Sequence, residues 1–224
     1  MKKAILILVI FFTNLVFSQK SDFNKPDYKL ISKNIENKNS NFFYQNLLKK
    51  LSENDTLISK EEYFHLYYGA ALQKDYNPYK KSKFEDELNK YYKELEEKDY
   101  DKFIALANKS LKEYPLDLRL MNFLAYTHHM KHNDAMAEKI SKNFHGLIAA
   151  IMSTGDGITC ENGLHVISVT HEYVVLNLFE LEVVSQSLVE NCDYMSFEKD
   201  KYKVAGLYFD VSKLFEKQKM MFEK

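Results

Sequence analysis

The stretch Met152-Ser153-Thr154-Gly155-Asp156-Gly157 decides the fold, because the sequence keeps a helical period before it and moves toward a period of two after it. Two glycines one residue apart end a helix and let the chain turn, and a left-handed backbone is expected at Gly155. Reading backward, Asp134 to Met152 places Ala137, Ile140, Phe144, Leu147, Ile148 and Ile151 on one stripe. Asp117 to about Lys131 carries Leu120, Met121, Phe123, Leu124 and Ala125, and Asp101 to Tyr114 carries Phe103, Ile104, Ala107 and Leu111 before Pro115. Further back, Ser59 to Glu62 and Ser82 to Glu85 both read S-x-x-E, the pattern in which a hydroxyl and a carboxylate satisfy backbone amides reciprocally. The first predicts a helix from Glu61 to about Lys74 with Ile58 and Tyr63 as a hydrophobic staple. The second predicts one with Phe84, Leu88, Tyr91, Tyr92 and Leu95 on one face. Phe42, Phe43, Leu47, Leu48 and Leu51 form one more stripe, ended by Asn54-Asp55-Thr56.

Reading forward, His165–Val169, Val183–Val189, Asp193–Glu198 and Val204–Val211 have strand character, and the charged Lys199 to Lys203 segment joins the last two. Thr170 can cap a short helix from His171 to Glu180, although Val174-Val175 also suits a strand; Lys213 to Lys224 is amphipathic. The expected class is therefore α+β: N-terminal stacked helical hairpins, then a small antiparallel β-sheet and a short C-terminal helix. The spacing around Pro115 resembles a tetratricopeptide repeat, with Leu124-Ala125 at the Leu-Gly pair of the next unit and Ala137 at its small residue, over about one repeat and a half.

Residues 1–18 have the form of a signal peptide: Lys2 and Lys3, an apolar run from Ala4 to Phe12 too short to span a bilayer, and Val16-Phe17-Ser18 before a cleavage point at Gln19. The expected protein is exported, periplasmic or secreted, and not membrane-embedded after cleavage. Residues 19–40, polar with one turn at Pro26-Asp27-Tyr28, read as a flexible N-terminal arm. Residues 41–153 read as the helical-hairpin region, and residues 154–224 as a small α+β region packed on it in a single compact unit.

Lys and Arg number 31 against 32 Asp and Glu, so the basic patch that nucleic acid or an anionic membrane surface needs is not indicated. With no tryptophan, a sugar-stacking surface built on indoles is excluded, and the 16 tyrosines and 16 phenylalanines read first as core. Cys160 and Cys192, the two cysteines of an exported chain, predict one disulfide; closing a loop of this length stabilises by roughly 3.5 kcal/mol in the chain-entropy model.

Candidate chemistry is sparse. His128 and His132 have helical spacing for a metal but no third ligand marked nearby, and they suit the last turn of a helix, where cationic groups meet the dipole. No metal or cofactor is expected. Beyond the glycine pair lie Asp156, Glu161, His165, His171, Glu172, Asp193 and Asp210, of which Asp156, His171, Glu172 and Asp193 are the candidate binding residues. His171 and Glu172, being adjacent, point apart and make no dyad. Asp156 and Asp193 also suit turns. Tyr67, Tyr68 and Gly69 are expected to mark close helix packing, since glycine inside a helix costs about 1 kcal/mol relative to alanine unless a neighbour needs the space. Gly155 and Gly157 are expected to serve backbone geometry.

Several short motifs in order carry a resemblance: Tyr67-Tyr68-Gly69, Gly155-Asp156-Gly157, His165-Val166-Ile167-Ser168-Val169, Glu172-Tyr173, Gln186-Ser187-Leu188, Cys192-Asp193-Tyr194 and Tyr208-Phe209-Asp210. From about Pro26 to Val211 the chain resembles the exported bacterial family called domain of unknown function family 4919. Phe179-Glu180 departs from its pattern, which has a glycine after the Tyr173 segment. The resemblance implies an exported location and this layout, and it assigns no catalytic residue. The sequence thus points to a binding or interaction module of the envelope or secreted fraction, whose partner is another envelope protein or a peptide. The alternative is a hydrolase using Asp156, Glu172 and Asp193, in which at least two of the carboxyls must converge in a cleft.

Overall fold

In the computed structural model, which describes residues 23–222, the first described element is a helix, within the segment expected to be an arm. The carboxylate of Asp27 accepts the backbone N–H groups of Lys29 and Leu30, both at 3.0 Å, and starts α1 (Tyr28–Glu36). Ile31 and Ile35, four apart, bury themselves in the core. The Asn24 N–H donates to the Ser153 carbonyl at 2.9 Å and Lys25 Nζ to that of Glu161 at 2.6 Å, so the segment is tied down just ahead of the helix. The predicted leader lies outside the described residues.

Next come α2 (Tyr44–Ser52) and α3 (Lys60–Ala70). The capping box at Ser59 forms as read, with Glu62 N–H on the Ser59 hydroxyl at 3.2 Å and Ser59 N–H on the Glu62 carboxylate at 2.8 Å. The second box does not form. Ser82 takes the Phe84 N–H at 3.2 Å, Phe84 itself stands at the N-cap, and α4 (Glu85–Lys93) starts two residues too late for Ser82 to close it.

α5 (Tyr100–Glu113), α6 (Leu118–Met130) and α7 (Asp134–Met152) follow through short connections, each packed on the next. α3 packs on α1, α2 and, out of sequence order, on α7. This departs from a solenoid, where each hairpin meets only its neighbours. Two glycines allow these approaches. A β-carbon on Gly69 would stand 3.2 Å from Ile35 and 3.3 Å from Tyr44, and one on Gly146 would stand 2.2 Å from the Tyr63 ring.

After α7 the chain forms β1 (Leu164–His165), α8 (Val169–Leu178), β2 (Val183–Val189), β3 (Cys192–Phe197), β4 (Gly206–Asp210) and α9 (Ser212–Phe222). The strand expected over His165–Val169 is reduced to two residues, because α8 already begins at Val169. The sheet order is β1-β4-β3-β2 and it is mixed rather than antiparallel, since β1 pairs with β4 in parallel, Leu164 opposite Phe209 and His165 opposite Asp210. The physical reason is the connection: β1 reaches β4 only after α8 and the β2–β3 hairpin, the long crossover that a parallel pair requires.

Gly155 is not left-handed; only Gly157, at φ +71°, is so among the described glycines. The α7 helix already ends at Ser153, and what demands glycine at Gly155 is crowding, since a β-carbon there would stand 2.1 Å from the Asn162 carbonyl oxygen. The Cys160–Cys192 disulfide, with α-carbons 5.7 Å apart, ties the loop after α7 to the start of β3. One contiguous hydrophobic cluster runs through both halves, from Ile31, Leu47, Phe103 and Leu147 to Val175, Met195 and Phe209.

Candidate functional site

A groove of about 750 Å³ lies among α2, α5, α6 and α7. Its floor is apolar: Leu48 and Leu51 of α2, Leu111 of α5, Met121 and Leu124 of α6, and Ile140 of α7. Its rim is polar, with Gln45, Lys49, Asn108 and Lys112 in exposed positions. α2 builds one wall because its apolar stripe is wider than the core needs. Leu47 and Leu51 are buried beneath it, which leaves Leu48 half-open on the groove side. Pro115 builds the other wall by ending α5, after which Asp117 accepts the Leu120 N–H at 3.0 Å and caps α6. Burial lifts the Asp117 carboxyl to about 6.

A second cavity of about 260 Å³ shares Gln45, Leu48, Lys112 and Pro115 with the groove and continues it to Tyr76, Tyr114, Leu116 and Ile167. Behind that wall lies a buried polar network. His171 is fully buried, and its Nε2 lies 2.9 Å from the Leu116 carbonyl, so that nitrogen carries the proton and Nδ1 is the acceptor. The Tyr67 hydroxyl donates to Nδ1 at 2.7 Å and accepts the Ile167 N–H at 3.4 Å. Tyr76 donates to the Ile167 carbonyl at 2.8 Å, and Tyr68 to the His165 carbonyl at 3.0 Å. Burial holds the imidazole at about 4, so at neutral pH it is uncharged. His171 therefore sits one hydrogen bond behind the cleft and fixes the Leu116 peptide in its wall.

The acidic candidates separate. Glu172 is also fully buried, on the other side of α8, and neither carboxyl oxygen has a hydrogen-bond partner among the described residues. Burial first, and the charge of Asp193 second, push it up to about 9, so the group is protonated at neutral pH. Asp193 is half-buried on β3 and accepts from Gln186 Nε2 at 2.8 Å, and Tyr173 donates to the Oε1 of the same glutamine at 3.1 Å. Asp156 is exposed and accepts the Ile158 N–H at 2.9 Å in a turn; it is not among the charges acting on Glu172 or Asp193. Glu172 and Asp193 thus come together, and Asp156 does not join them.

His165 and Asp210 stand 3.6 Å apart on paired strands. His128 is half-buried, whereas His132 lies past the end of α6 with φ 58°, so the helical spacing between them is lost. Among the described residues no three His, Cys, Asp or Glu side chains are placed to hold a metal ion. Nor is any helix among them long and apolar enough to cross a membrane. The groove was missed in the sequence because its lining is divided among four helices distant in the chain; only Leu48, the extra leucine of its stripe, signals it.

A family model described as Domain of unknown function (DUF4919) matches residues 29–220, which include the groove, the His171 network and the disulfide. No curated protein and no solved structure matches the chain.

Proposed function

The chain belongs to the family described as Domain of unknown function (DUF4919), and on the form of its cleft we propose that it is an exported binding module that takes a peptide segment of an envelope partner between α2 and α5. The observation that carries this reading is the groove itself: an apolar floor for side chains, with amides and lysines along the rim to meet peptide carbonyls and carboxylates. Its size suits a few residues of extended chain. His171 serves as a positioning residue, since the Leu116 peptide it bonds forms part of the wall. Export is supported by the leader-like first eighteen residues and by the disulfide, which belongs to oxidising compartments.

Binding is favoured over hydrolysis because Glu172 is closed to solvent and Asp156 is engaged in its turn, which leaves no two of the carboxyls of Asp156, Glu172 and Asp193 open to one cleft. The test is site-specific photocrosslinking in intact producing cells, with a benzophenone side chain at Asn108 in the groove or at Lys29 on α1. Crosslinks to a discrete partner from Asn108 only, lost on Leu48→Arg without change in melting temperature, are the expected result. Equal labelling from Lys29, or crosslinks that survive Leu48→Arg, would sink the proposal.

A further inference from the structure

β2 is the outer strand of the sheet and pairs with β3 alone. From Val184 to Val189 every residue is exposed, Val184 by 68% and Leu188 by 57%. An edge of this kind presents unpaired N–H and C=O groups, and proteins blunt such edges with lysines or prolines. Here the strand has no charge and no proline, and the sole irregularity is a register shift between Val183 and Ser185.

Its sequence, Val183-Val184-Ser185-Gln186-Ser187-Leu188-Val189, reads nearly the same in both directions. Laid antiparallel on itself about an axis through Gln186, it sets Val183 against Val189, Val184 against Leu188, Ser185 against Ser187, and Gln186 against its own copy. Such self-complementarity is what a two-fold interface requires. We propose that β2 pairs with β2 of a second copy of this chain, joining the two sheets edge to edge.

Backbone direction agrees with this register. The two-residue turn Glu190-Asn191 closes on the Val189–Cys192 pair, so Val189 and Ser187 bond toward β3 while Leu188 and Gln186 direct their N–H and C=O groups outward. Tyr173, bonded to Gln186, is exposed as well. One strand pair is a small interface, so a concentration-dependent equilibrium is expected and not an obligate dimer.

Sedimentation velocity of the purified protein over a hundredfold concentration range tests this. The mass should double toward the high end, and Leu188→Lys and Gln186→Pro should hold it at one copy, since the outward-facing Gln186 backbone N–H is the group that proline removes. Gln186→Cys should crosslink between copies under mild oxidation, because residues facing on the axis bring α-carbons to about 5.5 Å, within disulfide reach. Lys29→Cys, on α1, should not. If the proline variant fails to fold, Leu188→Lys, at an exposed position, carries the test. A single-copy mass throughout, a dimer that survives Leu188→Lys, or an edge that takes an unrelated strand peptide while the chain stays monomeric would overturn the proposal.

Discussion

The Tyr67 hydroxyl lies 2.7 Å from Nδ1 of His171, two fully buried groups 104 residues apart in sequence, and the bond joins the helical half of the molecule to the half that carries the sheet. Tyr67→Phe keeps the ring but leaves the imidazole acceptor and the Ile167 N–H without that partner. The expected loss is about 1–3 kcal/mol of unfolding free energy, read from urea titration, with little change in secondary structure. An unchanged midpoint would show that the bond contributes nothing net.

Glu172 gives the protein an alkaline liability. Its carboxyl titrates at about 9 in the fold and at about 4.3 in the unfolded chain, so between those values the native state holds a proton that the unfolded state lacks. Stability therefore falls as pH rises through this window, with a limiting slope of about 1.4 kcal/mol per unit. His171 acts on the acid side. Held at about 4 against an unfolded value of about 6.5, it contributes fully above 6.5 and loses that contribution as pH falls toward 4. Glu172→Gln should remove the alkaline slope, so that the variant gains on the parent between pH 5 and pH 8 in guanidinium titrations. Parallel pH profiles would refute this account.

The crowded glycines separate two kinds of constraint. At Gly69 the neighbours are the side chains of Ile35 and Tyr44, which can shift, and Gly69→Leu should cost roughly 1–3 kcal/mol. At Gly155 the obstacle is the Asn162 carbonyl, part of the backbone, so Gly155→Val should cost more than Gly69→Leu in thermal melts. The reverse order would mean that the loop after α7 yields more easily than the packing of α1 and α2 on α3.

Glu180 stands at φ 54°, a left-handed conformation that favours glycine, just after α8. Glu180→Gly relieves the β-carbon conflict at the expense of a looser unfolded chain. A net gain of roughly 0.5 kcal/mol is expected in differential scanning calorimetry. A lower melting temperature would place the benefit of Glu180 in its side chain.

Legibility in the sequence followed how local each signal was. Asp134–Met152 and Val183–Val189 form over the residues read for them, because each has an unbroken period and clear punctuation at both ends. α1 was hidden because only two isoleucines mark its buried face in a segment otherwise rich in lysine and asparagine. The Ser82 pattern misled because it is two-edged: the same hydroxyl that can close a capping box can bond one residue nearer and leave the helix start to Phe84. His171 and Glu172 do point to different neighbours, as adjacency requires, but nothing local announces that both are sealed from water. The mixed sheet and the groove depend on which distant segments meet, and periodicity along the chain carries no record of that.

The anchoring of α1 bears on the order in which the molecule can be finished. Asn24 and Lys25, just ahead of it, bond to Ser153 and Glu161, and Tyr28 lies under the ammonium of Lys213, 4.6 Å from the ring centroid. The first helix of the described residues thus completes its contacts only when α9 has been made. Until α9 has been delivered, α1 is a latch without a catch.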